Sequence, residues 1–99
     1  MSDGSITVDN AERIAGGKSG LIPHRKLRES LSVGNSVQLG FRAEANGRVL
    51  TDRLWLVITR CHHDGRYTAS VQTPSSSLAA LTAGALVEFG PEHIFGWEP

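Results

Sequence analysis

Residues 36–60 read SVQLGFRAEANGRVLTDRLWLVITR, and the fall of apolar letters in this stretch decides the fold. From Ser36 the period is two: Val37, Leu39 and Phe41 alternate with Ser36, Gln38, Gly40 and Arg42. That is the pattern of a half-buried strand. Asn46-Gly47 is a strong turn dipeptide because both residues accept a positive φ. The next run, RLWLVITRCH, is the most apolar in the chain. Leu54, Leu56 and Ile58 point one way, and Trp55, Val57, Thr59 and Cys61 the other. Both sides are apolar through Ile58, which predicts a central strand covered on two faces.

Further strands follow on each side. RYTASVQ alternates Tyr67, Ala69 and Val71 with Thr68, Ser70 and Gln72, a strand with one wet face. TPSSS reads as a loop and ALVEFG as a last strand. Pro91 is placed to open a helical turn at PEHIFGW. Before the strands, IPHRKLRESLSVG predicts a helix of about two turns, with Pro23 in the first position, Leu27 and Leu31 on one stripe and Gly34 as the stop. Short strands closed by turns predict a mainly β protein: an SH3-like barrel or strongly bent antiparallel sheet of about five strands, with a short preceding helix. The expected core is Leu27, Leu31, Val37, Leu39, Phe41, Leu54, Leu56, Val57, Ile58, Val71, Leu81, Val87 and Phe89.

LSVGNSVQLG (31–40) and LTAGALVEFG (81–90) share the spacing L-x-x-G-x-x-V-x-x-G. Read physically, each copy is a turn with a glycine in a strained backbone position, followed by a strand whose valine faces the core.

With 99 residues, the chain makes one domain that buries about 60–70% of its unfolded surface. Residues 1–20, polar and rich in small side chains, are expected to be a poorly ordered segment. Within it, SITV suits an edge strand, and Asn10 suits the N-cap of one helical turn stopped by Gly16 and Gly17. Residues 21–99 are expected to be a single β-barrel-like domain. The formal net charge is zero, with residues 21–66 mildly basic and residues 67–99 acidic. Nothing global draws such a chain to nucleic acid or anionic membrane. One cysteine excludes an internal disulfide framework. MSDGSITVDN has neither a basic n-region nor an apolar h-region, and no run of about 18 apolar residues occurs. A cytoplasmic location and no membrane partner are expected.

The stretches IPHRKLRESLSVGNSVQLGF (22–41), DRLWLVITRCHHDGRYTASV (52–71) and LTAGALVEFGPEHIFGW (81–97) resemble successive blocks of the bacterial YegJ-like domain family. The shared features are turn glycines, apolar strand positions, a turn containing Asp64-Gly65 and a closing Trp97. The chain departs from the family pattern at His24-Arg25-Lys26, at Asn35 and at Val71-Gln72-Thr73-Pro74. The resemblance implies a small SH3-like barrel and carries no biochemical activity with it.

The chemistry-bearing letters cluster at Cys61-His62-His63-Asp64. These are metal-ligand types, but neighbours on a strand point to opposite faces. Cys61 is expected toward the core as a small buried hydrophobe, and His62 toward solvent beside Arg60. Asp64-Gly65 accounts for a hairpin turn without any ligand. His62, His63 and Asp64 are therefore weak metal candidates, which His24 or His93 would have to complete, and no cofactor, metal or catalytic residue is expected. The candidate interaction surface is Arg42, Arg53, Arg60, Phe95 and Trp97, although Phe95 and Trp97 also suit the closing of the barrel end. The reading favoured is a non-enzymatic protein-interaction or accessory binding module with a protein or peptide partner. The alternatives are a single-stranded nucleic-acid binder, with Trp55, Phe41 and Tyr67 near Arg42, Arg53, Arg60 and Arg66, or a metal-dependent or hydrolytic activity at the histidine turn.

Overall fold

A computed structural model describes residues 6–16 and 21–99. Six strands form one antiparallel sheet: β1 (Thr7–Val8), β2 (Ser36–Ala45), β3 (Arg48–Cys61), β4 (Tyr67–Val71), β5 (Leu86–Phe89) and β6 (Ile94–Glu98). Its order is β1-β2-β3-β4-β5, and β6 returns to pair with β2. The result is mainly β, a strongly bent half-barrel of SH3-like character. Two short helices, α1 (Ala11–Ala15) and α2 (Arg25–Arg28), and a 3₁₀ turn at Pro91–His93 complete it.

The expected alternation holds on the inner face. Val37, Leu39, Phe41, Leu54, Leu56, Ile58, Val71 and Phe89 are all buried, with Tyr67, Ala69, Leu78 and Ile94 among them. Leu31 and Leu81 are buried too, and Leu27 and Val87 pack half-buried against this cluster. Val57 does not belong to it. It projects from the other side of β3, with Trp55 and Thr59, and that side is not covered. The reason is a shortage of layers: α1 packs against β6 and the 3₁₀ turn, and α2 against the 3₁₀ turn.

The Asn46-Gly47 turn has positive φ at both residues, 53° and 75°, and joins Ala45 to Arg48 in register. This matches the twist of the strands it connects. The stretch 42–50 forms the end of a long β2–β3 hairpin. The repeated motif is one turn used twice. Gly34 (φ 98°) and Gly84 (φ 89°) both adopt positive φ. Each sends its N–H to a neighbouring strand, Gly34 to the Ile58 carbonyl at 2.9 Å and Gly84 to the Val71 carbonyl at 2.8 Å. Both turns are closed by the same backbone bond, Asn35 N–H to Ser32 and Ala85 N–H to Thr82, each 3.0 Å.

Two expectations need correction, and those for the edge strand and for the Asn10 cap hold. The helix expected over 22–34 is one turn, capped by the His24 side chain, which accepts from the Lys26 N–H at 3.1 Å. It stops because Tyr67 captures the chain: its hydroxyl donates to the Arg28 carbonyl at 2.9 Å and accepts from the Leu31 N–H at 3.3 Å. These are the groups a second turn would have used. The 3₁₀ turn leads into a sixth strand, because antiparallel pairing with β2 over Ser36–Leu39 leaves its backbone groups satisfied. In the N-terminal segment, Thr7–Val8 pairs with Phe41–Arg42, and Asn10 caps α1 by accepting from the Arg13 N–H at 2.8 Å. The expectations for residues 1–5 and 17–20, including the stop at Gly17, lie outside the described residues.

Arg28 joins the parts that are not sheet. It is 5% exposed. Its Nε donates to the Pro23 carbonyl at 2.8 Å, and its Nη1 to Glu12 Oε2 at 2.7 Å and to the Pro91 carbonyl at 2.8 Å. The Arg28 hydrogen bond holds the Glu12 carboxyl below its ordinary 4.5. Replacing Arg28 with methionine keeps the bulk and removes these bonds, so urea denaturation is expected to show a loss of about 2–3 kcal/mol. Alanine at Gly34 or Gly84 forces a side chain into positive φ, and each is expected to cost about 1–2 kcal/mol in the same measurement.

Candidate interaction surface

The histidine turn is a tight hairpin. His62 N–H donates to the Arg66 carbonyl at 2.8 Å, Gly65 N–H to the His62 carbonyl at 3.1 Å, and Asp64 Oδ1 accepts from the Arg66 N–H at 3.0 Å. A register shift between Ile58 and Arg60 interrupts the β3–β4 ladder and sets Cys61 opposite Tyr67. Cys61 therefore faces the Tyr67 side of the sheet but sits at its rim. It is exposed, not buried as expected, with its thiol 3.6 Å from the Leu31 carbonyl. His62 lies over the outer side of the sheet, with Thr68 and Glu88. Its Nε2 shares a 2.7 Å hydrogen bond with the Thr68 hydroxyl and lies 3.8 Å from Glu88 Oε2. His63 is exposed. His24 is occupied as a helix cap and His93 in the 3₁₀ turn. Among the described residues, no three His, Cys, Asp or Glu side chains group to hold a metal ion.

His93 and Gly90 clasp each other: Gly90 N–H donates to His93 Nδ1 at 2.9 Å, and His93 N–H donates to the Gly90 carbonyl at 3.0 Å. Burial holds this imidazole below the ordinary 6.5. Glu92, 3.7 Å from Nε2, opposes the shift, Arg66 adds to it, and Glu12 opposes it. Beside it, Arg25, Glu29, Asp64, Arg66 and Glu92 line an open cleft of about 400 Å³. Arg25 is already paired with Glu29 at 2.8 Å, and Arg66 lies 3.9 Å from Glu92.

The candidate surface residues divide. Phe95 is buried at 9% exposure, and the Arg53 guanidinium carbon lies over its ring, 4.0 Å from the centroid. Arg42 is exposed and reaches Asp9 at 3.3 Å. Trp97 lies opposite Val37 and packs against the core, where its indole N–H finds no acceptor among the described residues. Arg60 is exposed beside the bulge, on the far side of Trp55 along β3 from Arg53.

The outer face of the sheet carries what strand alternation alone did not settle. The pairings Gln38–Trp55, Ser36–Val57, Val57–Ser70 and Ser70–Leu86 place Trp55, Val57 and Leu86 on one surface. Leu86 is 68% exposed and Trp55 39%, and the Trp55 indole lies over Gly96. Two open clefts adjoin this face and share Ile14. One, about 310 Å³, has Asp9, Arg13 and Arg42 on its walls. The other, about 170 Å³, has Leu21, Ile22, Arg53 and Phe95. Ile14, Leu21 and Asp9 were missed in the sequence because their segment has no periodicity long enough to orient them. Among the described residues, no helix is long and apolar enough to cross a membrane.

No family model matches the chain, and neither a curated protein nor a solved structure does.

Because the His93 pKa is depressed on folding, its contribution to stability is complete above about 6.5. It is lost as pH falls through the lower folded value, where the added proton breaks the bond from Gly90. NMR titration is expected to place His93 below 6.5. The denaturation midpoint should fall as pH drops below that value, and His93→Gln should flatten the slope. A titration at or above the ordinary value would contradict this.

Proposed function

We propose that this chain is a non-enzymatic protein-interaction module that takes a protein or peptide partner on the outer face of its bent sheet. One observation carries the reading: Trp55 and Leu86 stand exposed on rigid strands, with Val57 between them. The solvent face of an antiparallel sheet is ordinarily polar, and apolar residues gathered on it, here Trp55 and Val57 on β3 and Leu86 across Ser70 on β5, mark a contact surface. The polar groups supporting these residues are held by the ladder, so a partner meets a preorganised surface. The resemblance to the YegJ-like family belongs to the same reading and adds no activity to it. An exposed thiol at Cys61 suits a reducing compartment, and we place the module in the cytoplasm.

The runner-up is stacking of single-stranded nucleic acid on Trp55 beside Arg53. Glu88 and Glu98, exposed on the same strand face, oppose a phosphate chain there.

Trp55 and Leu86 are outside the core, so Trp55→Ser/Leu86→Ser is expected to fold with stability within about 1 kcal/mol of the parent. Crosslinking in cells followed by mass spectrometry should identify a partner that this variant loses and a Lys26→Ala control keeps. An unchanged set of partners would contradict the proposal. Saturable, salt-sensitive binding of a mixed single-stranded oligonucleotide would favour the runner-up.

A further inference from the structure

The two clefts that share Ile14 adjoin along α1, which packs on β6 and the 3₁₀ turn, and together they make a groove beside Arg42 of β2 and Arg53 of β3. Its chemistry is uneven in a way that specifies an occupant. Arg13, Arg42 and Arg53 stand along it, and Asp9 is the acidic residue on its walls. Asp9 is spent on Arg42. The Arg53 guanidinium, held over the Phe95 ring, has no acceptor among the described residues. Between the cations lies an apolar floor of Ile14, Leu21, Ile22 and Phe95, with Ile14 51% and Leu21 62% exposed.

We infer that this groove binds an extended acidic peptide segment that sets one bulky aliphatic or aromatic side chain into the Ile14–Phe95 cleft and a carboxylate against Arg53. The cleft of about 170 Å³ is the size of one such side chain. A guanidinium held over an aromatic ring keeps its N–H groups free, and a carboxylate can meet them through two parallel hydrogen bonds. Arg13 and Arg42 attract further acidic residues at the other end. Arg53 and Trp55 project from the same side of β3, two residues apart, so a segment leaving the groove passes onto the apolar residues of the outer face. This inference rests on the proposed binding-module reading and names its partner.

The groove depends on a close approach. A Cβ at Gly40 would lie 2.9 Å from Phe95 Cε2 and 3.0 Å from Asp9 Oδ2. Both side chains lean on the backbone of β2 there, and the Asp9 N–H donates to the Gly40 carbonyl at 2.8 Å. A larger residue at this position pushes the ring and the carboxylate outward together.

The test is an NMR titration of the whole protein with two acetylated octapeptides. One alternates glutamate with leucine, and the other alternates lysine with leucine. The acidic peptide is expected to shift Ile14, Arg42, Arg53 and Phe95 saturably, and to bind about tenfold or more weakly when Arg53 is glutamine. Raising the salt concentration on the unmodified protein should weaken binding as well, a readout that does not depend on a variant folding. Arg53→Lys keeps the charge and loses the fork, and it should restore only part of the affinity. Equal binding of the lysine peptide, or no shift at the groove residues, overturns the inference. If shifts instead appear at Trp55, Val57 and Leu86 alone, the groove assignment falls and the binding-module reading stands. No shifts at either place, together with a partner set unaffected by Trp55→Ser/Leu86→Ser, removes both.

Discussion

The Arg28 guanidinium lies almost out of reach of solvent, and a charge in that position is costly unless its N–H groups are matched. Its partners come from three stretches far apart in the chain: Glu12 on α1, the Pro23 carbonyl before α2, and the Pro91 carbonyl where β5 turns toward β6. The sheet closes its own hydrogen bonds and buries its own apolar face. The helices cannot do the same, since each has at most five residues and neither is stable alone. What fixes them is the need to satisfy one buried cation. Tyr67 completes the arrangement from the barrel side by holding the Arg28 carbonyl and the Leu31 N–H. The position of α1, and with it Ile14, follows from Arg28.

This dependence explains why the strands were legible in the sequence and the rest was less so. Alternation is a local signal: Val37, Leu39 and Phe41 declare their face within five residues, and the inner face of β3 reads the same way. Turn glycines are local too, and the repeat over 31–40 and 81–90 proved to be one backbone geometry. The length of α2 is not local. Leu27 and Leu31 keep helical spacing, but the chain leaves the helix because Tyr67, 36 residues beyond Leu31, takes its backbone groups. The bulge near Thr59 is equally invisible in composition, and it reversed the expected environment of Cys61 and turned His62 toward Thr68.

β3 shows the limit of pattern reading most directly. Its two apolar sides suggested cover on both faces, and the inner side has it. The outer side remains open at Trp55 and Val57 because α1, tied to Arg28 through Glu12, reaches only the Arg53–Phe95 end of it. Apolar content told that β3 is central; it did not tell whether the second layer belongs to this chain. Trp55, 39% exposed, stands on the side that no second layer of the described residues covers.

Phe95 joins the two halves of the account. It is buried against β2 at Gly40, and the Arg53 guanidinium lies over its ring. A cation over an aromatic face is held there by the ring quadrupole, so its direction is fixed without consuming its hydrogen-bond donors. The missing side chain at Gly40 lets that ring sit against β2. The close packing of Phe95 against Gly40 thus sets where the Arg53 guanidinium rests.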